Sequence, residues 1–468
     1  MAKRKDSRKE ARHPINGETL QAAVGWAIDG KIFAHLKVHG NTTWQFVDLV
    51  LLAIVWVWSG DARLTGAFTE AHRWSLQVLG RAAVGTFQGL LKSLVTWTAR
   101  LVPLVGECLQ GLMEKHGGRH WRVGLWLALA VDGSRTSVPR TQANERAFSA
   151  PNYGHGRTAK YRRKKTKGKR ARRKGKESMQ PVKPQIWLTL LWHMGMHMPW
   201  SWKSGPSYAN ERDHFRALLT EQKFPENTLF CADAGFTGYD LWRAMIDAGH
   251  SFLIRVGSNV RLLRRLGYVR ESRGVVYFWP DRAARRRQPP LVLRLLAVQV
   301  GRCPMWVVTN VLEENRLSDA EAVRLYQLRW GIELQFRTVK QTFGRRKLRS
   351  RTPERAHVEL DWSLLGLWLI QLFAIKEQIA IGEVPEHCSV GLAIQVVRTM
   401  LQQWSACAEA SFAMQLRAAT KDRYRRNRGK QARYRPAYKD RPRAGSPKVQ
   451  TANRQHKTWL KQYLQTAA

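Results

Sequence analysis

The stretch VGLWLALAVDG, residues 123–133, is a short apolar run that ends in Asp132 and a glycine. An apolar run of this length, closed by a turn signal, is typical of a strand buried on both faces of a sheet. The stretch TLFCADAGF, residues 228–236, repeats the pattern and contains Asp233. Because a carboxylate at the end of a buried strand is held rigidly at a sheet edge, the two aspartates together predict a functional site.

The apolar pattern changes along the chain and divides it into segments. Residues 1–118 carry apolar side chains at helical spacing, whereas short strand-like runs dominate from Arg122 onward and helices return at Ser318. The sequence therefore predicts an α/β fold. We expect a helical N-terminal domain (1–118), an α/β domain (119–380) with a β-rich insertion at about 250–316, and a helical C-terminal region (381–468).

The charge of the chain points to a polyanionic partner. Lys and Arg number 79 against 35 Asp and Glu, which gives a net charge of +44 in 468 residues. This excess argues against an ordinary metabolic enzyme and favours nucleic acid as the partner. Much of it lies in a basic loop, 156–177, and a basic tail, 421–443, which we expect to be mobile without a partner. A solvated, solubilising loop and tail is the alternative.

Several classes of protein are excluded by what the sequence lacks. The apolar runs 49–58 and 364–375 are shorter than the roughly 18 residues of a spanning helix, so we expect core helices and no membrane. No apolar segment follows the basic start of the chain, which argues against a signal peptide and for a cytoplasmic protein. The five cysteines form no CxxC motif, which predicts reduced thiols. No phosphate-binding GxxxxGK[ST] motif is present, so we expect no use of ATP.

A third carboxylate is predicted on a helix that begins at Ser318, where Glu321 completes a capping box, and ends at Gly344. At about 100° per residue, four polar side chains of this helix share a stripe about 60° wide, with one more cation beside it. The four are Tyr326, Arg329, Glu333 and Lys340, and the neighbour is Arg337. Alone, such a face is equally typical of a solvated helix in which Glu333 bridges Arg329 and Arg337.

Three convergent carboxylates favour a metal-dependent site. Ionised carboxylates repel one another and are stable together around divalent metal. Two Mg²⁺ ions about 3.5–4 Å apart can activate a water or hydroxyl and stabilise the leaving oxygen of a displacement at phosphorus. With cations beside the acids to hold a phosphate backbone, the constellation predicts a phosphodiester site on nucleic acid.

The spacing Tyr-x2-Arg-x3-Glu-x6-Lys resembles the YREK signature of the IS-four family of bacterial insertion-sequence transposases. DGSRTSVPRTQAN, from residue 132, and DAGFTGY, from residue 233, are similar to the two aspartate motifs of that family. The resemblance covers residues 122–376. It implies a ribonuclease-H-like catalytic core in which Asp132, Asp233 and Glu333 are the DDE metal ligands, with Mg²⁺ at two positions and Mn²⁺ as a substitute.

The same resemblance implies a function. A transposase of this family would cut at the inverted-repeat ends of its own element and join the freed 3′-hydroxyl to target DNA, in some members through a hairpin. It would act as a homodimer on double-stranded DNA, associated with the nucleoid, with residues 1–118 binding the ends. A nuclease that cuts without joining and an inactive DNA-binding derivative are the alternatives.

The resemblance also implies DNA contacts. Tyr326, Arg329 and Lys340 would lie near the cleaved end, with Arg337 beside them. An aromatic side chain of the β-rich insertion is expected to hold a flipped base. Trp279 and Trp306 are the candidates, and burial in the sheet is the alternative for each.

Overall fold

The computed structural model describes residues 19–38, 42, 44–149, 183–272, 274–300, 303–402, 411–421 and 445–467. The basic loop 156–177 and residues 422–443 of the basic tail lie outside this part of the chain. The chain divides into two compact units, one made of Met1–Gly117 with Val358–Lys421 and the other of Gly118–His357 with Asp422–Ala468. The three domains expected from the sequence stay a prediction.

The elements are numbered in chain order. The helices are α1 Leu20–Ala27, α2 Phe46–Trp58, α3 Leu64–Val78, α4 Phe87–Gly117, α5 Gln142–Phe148, α6 Glu211–Glu221, α7 Tyr239–Asp247, α8 Asp281–Arg285, α9 Asp319–Leu328, α10 Gly331–Arg337, α11 Pro353–Ala380, α12 Val390–Gln402, α13 Phe412–Ala418 and α14 Arg454–Ala467. The strands are β1 Leu127–Ser137, β2 Gln185–His193, β3 Met198–Pro206, β4 Thr228–Ala232, β5 Ser251–Val256, β6 Arg261–Arg264, β7 Val275–Phe278, β8 Leu291–Val300, β9 Cys303–Thr309 and β10 Lys448–Thr451.

The first unit is helical. Helix α2 is apolar on all sides and almost wholly buried, as expected for a helix at the centre of a core. Two buried tryptophans each donate an indole N–H to a polar partner, Trp58 to the carbonyl of Gly366 at 2.8 Å and Trp362 to the hydroxyl of Thr98 at 2.8 Å. Helix α11 is long and apolar enough to cross a membrane, yet nearly all of its most apolar stretch is buried inside the protein.

The second unit is built on a ten-stranded sheet with the order β10-β6-β7-β8-β9-β5-β4-β1-β2-β3. Strands β1, β4 and β5 are parallel neighbours, whereas β2 is antiparallel to both β1 and β3. Strands β6 to β9 belong to the predicted β-rich insertion and extend the same sheet. The α/β architecture predicted from the sequence is confirmed.

Two strands differ from the expectation. Strand β1 does not end at Asp132 but continues to Ser137, because the long antiparallel partner β2 accompanies it to Gln185. The parallel pairing with β4 does stop at Val131, so Asp132 still lies where the β1–β4 pair ends. Strand β10, in the region expected to be helical, pairs in parallel with β6 and is not anticipated by the sequence.

Candidate active site

The two predicted aspartates lie side by side. Val131 of β1 is paired with Ala232 of β4, so the next residue on each strand is an aspartate. Each carboxylate accepts a hydrogen bond at 2.7 Å from a glycine N–H, Asp132 from Gly133 and Asp233 from Gly235. Burial raises the pKa of Asp132 to about 6, the bond from Gly133 opposes the rise, and the like charge of Asp233 adds to it.

A further carboxylate, which the sequence does not predict, lies close to this pair. Glu211 is the first residue of α6, whose N-cap is Asn210. A Cβ added at Gly133 or Gly235 would lie 2.7 or 2.8 Å from its carboxylate oxygens, so both glycines leave room for this side chain. The pKa of Glu211 is raised, first by burial and then by the charge of Asp233. The sequence predicts that a helix begins in this region, but it does not show that the first residue of the helix lies beside the aspartates.

The helix predicted over 318–344 is confirmed at its ends and corrected in its middle. Ser318 and Glu321 form the capping box, and Gly344 has a φ of +79°. Between α9 and α10, however, hydrogen bonds of the i→i−3 type tighten the chain at Arg329–Trp330. The segment Thr338–Thr342 then widens into a π-helix. A uniform stripe at 100° per residue is therefore wrong for this segment.

Contact with the sheet explains where the helix changes. A side-chain carbon at Gly331 would collide with the indole ring of Trp192 on β2, so glycine allows a close approach at the start of α10. Helix α10 also packs against β1, the strand of Asp132. The tightened turn is thus followed by a helix that lies against the strand of the first aspartate.

Arg329 interacts with two of the predicted acids. It is only 8% exposed, and its Nη2 lies 3.3 Å from Oε1 of Glu333. Its guanidinium also stacks 5.4 Å from the ring centre of Tyr326 and is one of the charges that lower the pKa of Asp132. Tyr326 is buried, and burial raises its pKa to about 12.

Lys340 is tied to the strand of the first aspartate. Its Nζ donates to the hydroxyl of Ser134 at 2.6 Å, two residues after Asp132. Burial lowers its pKa, the charge of Arg346 lowers it further, and Asp132 opposes the change. The sequence does not identify Ser134 as part of the site, because its partner lies 206 positions away. Arg337 is exposed at the end of α10.

The two candidate tryptophans have different surroundings. Trp279 is 3% exposed and donates its indole N–H to the carbonyl of Gln288 at 2.8 Å, so it presents no open face to a base. Trp306 is half-buried on β9 and donates to the hydroxyl of Ser446 at 3.0 Å. Of the two, Trp306 is the one with an accessible ring.

Comparison with known proteins agrees with this geometry. The family model described as the transposase DDE domain matches residues 127–369, which span β1 to the middle of α11 and include all three predicted acids. The chain belongs to the DDE transposase family. The IS-four resemblance is confirmed as well, since 267 residues are 28% identical to the transposase InsG for insertion sequence element IS4 of Escherichia coli (strain K12).

The matches have limited extent. The alignment with the IS4 relative covers 55% of this chain, and the chain spans about half of that relative, 54% of its length. A solved structure of the piggyBac transposase synaptic complex with hairpin DNA covers 84% of this chain and 81% of its own, at 12% identity and a TM-score of 0.39.

DDE domains generally use divalent metal ions, and part of the predicted donor set fits one. Asp132 and Asp233 supply hard oxygen donors on adjacent strands, and a divalent cation would relieve their mutual repulsion. Glu333 instead contacts Arg329. Within the part of the chain that the structure describes, no three His, Cys, Asp or Glu side chains are close enough to hold one ion.

Proposed function

We propose that the protein is a DNA transposase that excises and integrates its own insertion sequence by metal-dependent hydrolysis and strand transfer at inverted-repeat ends. The observation that carries the proposal is the pair Asp132 and Asp233 on adjacent parallel strands, with the YREK segment packed against the first of them. Family membership and the name of the IS4 relative support it. The net charge of +44 suits a polyanionic substrate.

The acids would hold the metal. Asp132, Asp233 and Glu333 are the proposed ligands, and Glu333, which is about one-third exposed, would exchange its contact with Arg329 for the ion. Two Mg²⁺ ions, replaceable by Mn²⁺, would polarise the phosphodiester and lower the pKa of the attacking water or 3′-hydroxyl. The glycine N–H bonds keep both aspartates oriented without the ion, so little reorganisation is needed at the moment of binding.

The surrounding cations would orient the DNA. Lys340 contacts the strand of Asp132, and Arg329 interacts with Glu333 and with the charge of Asp132, so a phosphate at the metals would be within reach of both. Arg337, exposed on the same segment, would contact the backbone farther out, and Tyr326 would support Arg329 through its ring. We further propose that Trp306 stacks on a flipped base, that a homodimer brings the two ends together, and that excision passes through a hairpin.

The experiment is a reconstituted reaction. The DNA that flanks the reading frame is searched for short inverted repeats, and a plasmid carrying them is incubated with purified protein, Mg²⁺ and a target plasmid. Wild type is expected to cut at the repeats and join the ends to the target, whereas Glu333→Gln should abolish both steps and leave end binding within a few-fold. Glu314→Gln, which alters an exposed acid before the capping box, is the control.

The products separate the alternatives. Cleavage without joining would favour a nuclease over a transposase. End binding without cleavage would indicate an inactive DNA-binding derivative. Cleavage by Glu333→Gln at the wild-type rate would remove Glu333 from the metal site.

A further inference from the structure

A cleft lined by cations lies next to Lys340. It has a volume of about 700 Å³, and the described residues of its walls include Lys340, Arg346, Lys347 and Arg349 but no acidic side chain. Arg346 and Lys347 are exposed. Among the described residues, no carboxylate forms an ion pair with Lys340, Arg346 or Lys347. Four clustered like charges repel one another, so the cleft favours a polyanion.

The backbone beneath these cations is firmly held. Arg346 N donates to the carbonyl of Lys340 at 3.0 Å, and Ser137 at the end of β1 exchanges backbone hydrogen bonds with Arg346 and Leu348, at 3.2 and 2.8 Å. The cationic segment therefore pairs in parallel alongside the end of β1, the strand that carries Asp132. A site whose backbone is fixed, and whose Arg346 and Lys347 have no acidic partner among the described residues, is prepared for a ligand at low ordering cost.

A buried asparagine joins the two walls. The side chain of Asn144 is fully buried and donates to the carbonyls of Pro139 and Ser350, at 3.0 and 3.2 Å. Pro139 also lines the cleft, and Ser350 follows Arg349. Such a buried clamp keeps the width of the cleft constant.

We propose that this cleft binds the backbone phosphates of the DNA strand that carries the cleaved bond, two to five nucleotides away from that bond. The inference rests on the proposed function. Strand β1 rises about 3.3 Å per residue, so the anchors of the cations, Ser134 and Ser137, lie roughly 7 and 17 Å beyond Asp132. On a duplex whose axis runs along β1, phosphates of one strand follow each other every ~3.4 Å, so these distances correspond to about two and five nucleotides.

The ligand is a chain of phosphodiesters because a single phosphate would leave most of the cations unpaired. Arg346, Lys347 and Arg349 project from consecutive or near-consecutive positions of one segment, whereas Lys340 comes from the π-helical turn before it. Charges spread along a cleft match charges spread along a backbone, and such contacts set the register of DNA without reading its sequence.

The test uses a 40-base-pair duplex with the cleavage site mapped in the reaction above. Binding is measured by fluorescence anisotropy in Ca²⁺ between 50 and 300 mM salt. Arg346→Ala and Lys347→Ala should each weaken binding roughly 3- to 10-fold and reduce the slope of log K against log salt by about 0.9. Lys223→Ala is the matched control, because it removes an exposed cation before the amino end of β4, at the end of the strand opposite to Asp233. It should change neither the affinity nor the salt slope.

Neutral phosphates locate the contact. A methylphosphonate is placed at one position at a time, on the cleaved strand and then on its complement. In wild type, substitution two to five nucleotides from the cleaved bond should weaken binding, and in Arg346→Ala or Lys347→Ala one of these positions should lose its effect. Variants that bind like Lys223→Ala, or that lose sensitivity only on the complement, would overturn the cleft assignment while leaving the transposase proposal intact. If wild type neither binds nor cuts the duplex, both fail.

Discussion

Arg329 and Glu333 form an ion pair across the tightened turn between α9 and α10, with Nη2 and Oε1 3.3 Å apart. The two partners are unequally buried, since the side chain of Arg329 is 10% exposed and that of Glu333 is 36% exposed. Arg329 also contacts the ring of Tyr326, and its positive charge lowers the pKa of Asp132. The arginine is therefore a shared partner, whereas the glutamate has one described ion pair.

This asymmetry predicts unequal costs of substitution. Arg329→Gln should lower the free energy of unfolding of the metal-free protein by about 1–3 kcal/mol, because Asp132 and Glu333 lose their shared cation and Tyr326 loses its stacking partner. Glu333→Gln should change it by less than ~1 kcal/mol, because a partly exposed pair contributes little. Urea unfolding followed by circular dichroism measures both. Equal losses would show that Arg329 acts only through Glu333.

The aspartate pair predicts stabilisation by divalent ions that needs no DNA. Because the two like charges lie close together, Ca²⁺ or Mg²⁺ at 10 mM should raise the thermal midpoint. At an ion concentration 100 times the Kd, the free energy of unfolding should increase by about 2.7 kcal/mol. Asp233→Asn should remove most of this increase. In EDTA the same variant should equal or exceed wild type in stability, because a repulsion is lost.

Glu211 adds a related expectation. Glu211→Gln should raise the thermal midpoint in EDTA, because its carboxylate lies against Gly133 and Gly235, next to the aspartates. Asp213→Asn, in the same turn of α6 but 64% exposed and paired with Arg216, is the control and should produce no increase. A fall in the midpoint for Glu211→Gln would mean that its interaction with Arg135 and Arg212 outweighs the repulsion.

The parts of this site that were predictable are those set by local sequence. Asp132 and Asp233 each directly follow a run of buried apolar residues, and the capping box of Ser318 and Glu321 is contained in four residues. The remaining parts depend on contacts between distant segments. Gly331 lies against the ring of Trp192, where the helix is tightened, and Lys340 donates a hydrogen bond to Ser134, 206 positions away. No periodicity within the helix could reveal either contact.

The contact between Gly331 and Trp192 gives a prediction of its own. Gly331→Ala should lower the free energy of unfolding by roughly 1–3 kcal/mol, because the added methyl overpacks a helix–sheet contact. Trp192→Leu removes the ring atoms that the methyl would meet and should offset part of this cost. A double-mutant cycle in urea should therefore give a favourable coupling above about 0.5 kcal/mol. Additive effects would place the strain of Gly331→Ala elsewhere.

The buried His193 predicts how stability depends on pH. Its ring is fully buried, stacks 4.9 Å from Trp121 and accepts a hydrogen bond from Met196 N at 3.0 Å. Burial lowers its pKa to about 3, whereas an unfolded histidine titrates near 6.5. Between these values the unfolded chain binds a proton that the folded protein excludes, so the stability is complete above about pH 6.5 and falls as the pH decreases toward 3.

The expected slope is at most about 1.4 kcal/mol per pH unit for this one group. His193→Gln keeps a side-chain acceptor for Met196 N but cannot be protonated, so its unfolding free energy should be lower at pH 7 and should decline less between pH 6.5 and 4. His35→Gln, which removes an exposed histidine, is the control and should keep the wild-type slope. Urea unfolding at half-unit pH intervals measures the three curves. Parallel curves for wild type and His193→Gln would mean that other groups account for the loss of stability in acid.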